Sequence, residues 1–154
     1  MTRGLAARAI LVSSCGWVVL LAGSPLIFTH SQPDRVVYHA AALVYGAASW
    51  ICHQRPERSF HIESIQLPVC ARCFGLYVGV AFGACASWWK TWKPTHDLTR
   101  WRTALVVTGA IAVVTLVIEW GGLLPGNAVR AATAVPCGIV VGALVVAVAQ
   151  RQVR

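Results

Sequence analysis

Acidic side chains are scarce in this chain, which has five Asp and Glu against thirteen Lys and Arg in 154 residues. Charge of either sign is scarce too, at 12% of residues, about half the share of a soluble domain. So little polar side chain cannot coat a water-facing surface, and this excludes an ordinary soluble globular protein. What fills the chain instead is apolar, with 57% hydrophobic residues and a mean hydropathy of +0.65. The formal net charge of +8 is not spread as a basic stripe on a polar fold. It gathers at Arg3 and Arg8, Arg55 to Arg72, Lys90 to Arg102, and Arg151 and Arg154, between long apolar runs. Basic clusters that cap apolar runs are the mark of membrane topology, so the expected partner is the lipid bilayer and not nucleic acid. No inverted repeat of the kind common in transporters is evident.

A spanning helix needs roughly 20 mostly apolar residues. Ala7 to Phe28, Val69 to Trp89, Ala104 to Leu124 and Ala131 to Ala149 meet that need. The first run is too long for the apolar core of a typical signal peptide and reads as a membrane helix. Val36 to Ile51 is apolar but short, and reads as an oblique or partial helix. The expected fold is therefore all-α, a polytopic membrane bundle of four to five apolar helices with a polar Cys/His loop at one membrane face. Residues 1–35 form an N-terminal helix and loop, and residues 36–154 form the membrane domain with the Cys/His motif. Gly75, Gly79 and Gly83 recur every four residues and share one helix face. Such small-residue faces let helices approach closely in lipid, which predicts a homo-oligomer or membrane partner on that face.

Trp88, Trp89, Trp92 and Trp101 bracket the Lys90 to Arg102 loop, as indoles do at headgroup level. This loop is the strongest basic cluster, so it is placed in the cytoplasm together with the C-terminal arginines. The Cys52 to Cys73 region then falls on the extracytoplasmic side. Four crossings plus one partial helix fit the charge distribution better than five.

The chemistry-bearing stretch is Cys52-His53-Gln54-Arg55-Pro56-Glu57-Arg58-Ser59-Phe60, followed by Pro68-Val69-Cys70-Ala71-Arg72-Cys73. Two residues between Cys70 and Cys73 let both sulfurs turn to one point, as a metal or a redox disulfide requires. Three readings stay open. Cys52, His53, Cys70 and Cys73, with His61 as a substitute for His53, hold a zinc ion, although the adjacent Cys52 and His53 cannot easily share one metal. Alternatively, Cys70 and Cys73 form a thiol–disulfide pair in an oxidising compartment, tuned by the positive charge of Arg72. In the plainest reading, the cysteines are small buried apolar groups, as Cys15, Cys85 and Cys137 within apolar runs are expected to be.

Arg55, Arg58, Glu57, His61 and Glu63 read as an ion-pair network over the loop or as contacts to an anionic headgroup or substrate. A carboxylate at the depth of Glu119 needs a partner, and Arg130 and Asn127 lie just across the Pro125-Gly126 turn. If Glu119 instead lined a polar pathway, the chain would be a small transporter or channel subunit.

The segments Cys52 to Phe60 and Leu67 to Gly79 resemble the signature of a family of small prokaryotic membrane proteins classed as domain of unknown function 2085. Glu119, Asn127 and Arg130 are similar to an acid–Asn–Arg pattern in that family, with glutamate here where aspartate is usual. The resemblance spans roughly Val36 to Ala149 and implies a polytopic prokaryotic cell-membrane protein with no assigned activity.

Overall fold

The computed structural model describes residues 3–29, 34–89, 98–123 and 126–151. Five helices carry the fold: α1 (Arg3–Thr29), α2 (Arg35–Ser49), α3 (Ala71–Trp88), α4 (Leu98–Trp120) and α5 (Asn127–Arg151). Three of them contain stretches long and apolar enough to cross a bilayer: Leu5–Thr29, Thr99–Trp120 and Asn127–Gln150. They coincide with three of the four long apolar runs of the sequence. The fourth run became α3, which opens on the Cys-x-x-C motif.

Helix α2 starts where the Asp34 side chain accepts the Val36 N–H at 2.8 Å, a local cap that satisfies an orphan donor. It folds back along the C-terminal half of α1. Phe28 meets Tyr38 and Tyr45 edge to face, and Leu21 packs with Val44 and Ala48. Its last turn thus ends beside the middle of α1.

The glycine face has a different occupant from the one expected. Gly75, Gly79 and Gly83 lie directly on the backbone of α5 at Ala131, Val135 and Ile139, and Gly138 and Gly142 answer from α5 onto Leu76 and Val80. The face that was to meet a partner is closed within the chain, because α5 brings its own glycines to the same seam. Lipid offers helices no hydrophobic incentive to associate, so close backbone contact of this kind is what holds them. Helix α4 packs more loosely on α5, through Trp101 against Val140 and Ala143. Trp101 is therefore buried, whereas Trp89 is exposed; Trp92 and Lys90 to Asp97 lie outside the described residues.

Between α2 and α3 the polar stretch forms a hairpin in place of the expected loop. A short 3-10 turn (Pro56–Arg58) leads into β1 (Ser59–Ile62), which pairs antiparallel with β2 (Ile65–Cys70). Glu63 and Ser64 join them at φ of 46° and 72°, the geometry of a type I′ turn, which favours Asn-Gly. Side chains pay in strain for a left-handed backbone, so Glu63→Asn/Ser64→Gly is expected to stabilise the protein by about 1 kcal/mol. The check is a higher melting temperature in detergent; an unchanged or lower one counts against the turn assignment.

Candidate functional site

The hairpin returns the chain to α3 so that Cys70 is the last residue of β2 and the cap of α3, with Cys73 one turn further on. Cys52 comes from the other side, just past α2. The sulfurs of Cys52, Cys70 and Cys73 lie within 4.8 Å of one another, and all three thiols are free. The Cys70 N–H donates to the Cys52 sulfur at 3.2 Å, which ties the two cysteine segments together. The Cys70 thiol is held well below the usual thiol range, chiefly by the hydrogen bond from the Cys73 thiol. Burial opposes this, and the backbone N–H groups of Cys73 and Arg72 and the Cys52 thiol reinforce it. Trp17, Leu21, Val69, Phe74 and Tyr77 wall the cluster with apolar surface.

On its open side the cluster meets a cavity of about 450 Å3, also lined by His53, Arg55, Arg58 and Trp120. His53 is exposed, and the group of converging ligand atoms consists of the three sulfurs without it. His61 stands exposed on β1 opposite Gln66, and is not part of the converging group. Cys15 and Cys85 form a separate pair inside the bundle, with sulfurs 3.8 Å apart.

Two glutamines with no part in the expected site hold it in shape. Gln54 adopts a φ of 48°. Its side-chain amide donates to the carbonyl oxygens of Tyr45 and Pro68, at 2.9 and 2.7 Å. Gln66 donates to the Gln54 carbonyl oxygen and to the Ser59 hydroxyl, the latter at 3.2 Å, and its own carbonyl accepts from the Tyr45 hydroxyl. These bonds lock the segment that carries Cys52 against the strand that carries Cys70. The sequence signal for the strand was the alternation Ile65, Leu67, Val69, a period of two.

Beside the cysteines lies a second polar centre. Helix α4 ends in a glycine cap: Gly122 takes φ 88°, its N–H bonds the Glu119 carbonyl, and the Leu123 N–H reaches back to Ile118. Glu119 is thereby fixed in the last turn of α4, with its side chain wholly buried. Three guanidinium groups surround it. Arg58 Nε lies 3.0 Å from Oε1, Arg130 Nη2 donates to Oε1 at 3.2 Å, and Arg72 Nη2 donates to Oε2 at 3.2 Å. Asn127 accepts from Arg130 Nη1 at 2.7 Å and donates to the Ser59 carbonyl at 2.8 Å, which ties α5 to the hairpin. The Glu119–Arg130 pair expected from sequence is present, but as one edge of a four-residue knot. Nε of both Arg72 and Arg130 is buried without a partner among the described residues. Arg55 remains outside the knot, 3.9 Å from an exposed Glu57.

A helical bundle with spanning-length helices, and a Cys/His hairpin at one end, defines an integral membrane protein of the all-α class. The chain belongs to the DUF2085 family, described as predicted membrane proteins, whose match covers residues 52–144. An uncharacterized protein of Methanocaldococcus jannaschii is 55% identical over 40 residues, 26% of each chain, so this chain spans about a quarter of that relative's length. An uncharacterized protein of Methanothermobacter thermautotrophicus is 31% identical over 101 residues, 58% of this chain and 79% of the other. No solved structure matches. The family match begins at Cys52, so it takes in Cys52, Cys70, Cys73 and Glu119 but not α1 or α2.

Proposed function

We propose that the protein is a metal-binding membrane protein that holds one soft ion, zinc foremost, on Cys52, Cys70 and Cys73. The observation that carries this reading is the convergence of three free sulfurs from two separate segments on one point. A disulfide needs two sulfurs, whereas thiolate-rich metal sites use three or four. The Cys70 N–H on the Cys52 sulfur is the kind of outer contact that orients a ligand and tunes its charge. The fourth position opens on the cavity, and His53, which lines that cavity, is the side chain proposed to fill it. Thiol–disulfide exchange at Cys70 and Cys73 is the second reading, favoured by the position of Cys70 at the start of α3 and its readily ionised thiol.

We place this centre on the extracytoplasmic side. Support comes from Arg8, which stacks over Trp88 at 5.5 Å and so shares an end of the bundle with the start of the basic loop, away from the cysteines. Arg58, Arg72 and Arg130 break the charge rule for that side, but they are engaged by Glu119.

Elemental mass spectrometry on detergent-purified protein tests the metal reading. One zinc per chain is expected in the wild type, and none in Cys70→Ser/Cys73→Ser. Metal-free wild type with a dithiothreitol-sensitive Cys70–Cys73 disulfide would replace zinc by the redox reading.

A further inference from the structure

The cavity beside the sulfurs has a second chemistry that does not depend on a metal. Three guanidinium groups against one carboxylate leave the Glu119 knot with two positive charges in excess. An uncompensated charge out of bulk water calls for a counter-charge. The partnerless Nε atoms of Arg72 and Arg130 mark the same shortage of acceptors. Arg58 is the member of the knot that reaches the cavity. It is one-third exposed and held to Glu119 through Nε, so among the described residues its two terminal nitrogens have no partner. Arg55 lines the same space, and among the described residues its side chain is tied only by its long contact to Glu57. His53 and Gln54 complete that wall, and among the described residues no carboxylate lines the cavity.

We propose that this cavity is an oxyanion site that takes the phosphate group of a phosphate ester between Arg58 and Arg55. The planar guanidinium fork matches phosphate oxygens with two parallel hydrogen bonds. The cavity, at about 450 Å3, falls in the range of small-molecule sites, roughly 300–1,000 Å3, and exceeds what a bare inorganic ion fills. Trp120 at its rim is 75% exposed, as indoles are at the headgroup level. Lipid headgroups and soluble phosphate esters offer the same chemistry, and the experiment separates them.

Detergent-purified protein as isolated, its metal content measured alongside, is dialysed against radiolabelled glycerol 3-phosphate, while retained phospholipid is extracted and counted by mass spectrometry. Wild type, Arg55→Gln, Arg58→Gln and the remote control Arg102→Gln are compared, with gel filtration to verify that each is folded. Saturable glycerol 3-phosphate binding, at least tenfold weaker in Arg55→Gln and Arg58→Gln, identifies a soluble ester. About one retained phospholipid per chain, lost in the same two variants, identifies a headgroup; both results require Arg102→Gln to behave as wild type. Arg55→Gln leaves the Glu119 knot intact, so the test survives a poorly folded Arg58→Gln. If neither ligand binds wild type better than Arg55→Gln, or if Arg102→Gln loses binding equally, the proposal is overturned. A wild type that carries no metal as isolated yet binds phosphate would refute the zinc reading alone.

Discussion

Glu119→Gln is expected to cost the protein most of its stability in detergent. The substitution keeps the shape of the side chain but removes the negative charge that three arginines share at 3.0 to 3.2 Å. Removing one partner of a buried ion pair costs about 3–5 kcal/mol, because the other partner stays buried and uncompensated. Here three partners are left, and Arg130 has only 6% of its side chain exposed. A domain has only about 5–15 kcal/mol in total, so little folded material should survive purification. Glu119→Gln/Arg130→Gln should recover part of the loss, since it lowers the stranded charge and the two sites are coupled. The check is thermal unfolding and gel filtration of wild type, single and double variants. A single variant that melts within about 2 °C of wild type, less than 1 kcal/mol, would mean that water reaches the knot and screens it.

Gly79→Leu should separate α3 from α5 and give a second large loss. A Cβ on Gly79 would press on Val135 O, come within 2.9 Å of Gly138 Cα and meet Ile139 N at 3.0 Å. All three are backbone atoms and cannot rotate aside. Overpacking in a tight core costs about 1–3 kcal/mol; Gly79→Ala should fall in that range and Gly79→Leu above it. Gly109 on α4 supplies the contrast, because a Cβ there has nothing within 4 Å. Gly109→Ala should be neutral or mildly stabilising, since alanine is the better helix former. Equal melting temperatures for Gly79→Ala and Gly109→Ala would remove the close α3–α5 seam from the account.

The two expected results trace a division that runs through the whole protein. Spans were legible because hydropathy is additive along the chain, and α1, α4 and α5 each contain a long apolar run. The glycine spacing was legible as a face, but its occupant was not, because α5 supplies Gly138 and Gly142 from 60 residues away. Cys70 and Cys73 announced a shared point by their spacing, whereas the arrival of Cys52 depended on α2 folding back and on the Gln54 and Gln66 amides. The hairpin was hidden by its charged flanks and by a turn built from Glu63-Ser64 in place of Asn-Gly.

By itself the sequence determined the solvent of this protein, its helical class, and the segment that holds its cysteine cluster. Those follow from composition and from periods of a few residues, which act locally. The tertiary structure decided which polar groups meet: three arginines on one glutamate, three sulfurs at one cavity with His53 outside the group, and α5 on the glycine face. Each is a choice among residues far apart in the chain. Such choices are made by how helices seat against one another and by the need of every buried charge for a partner.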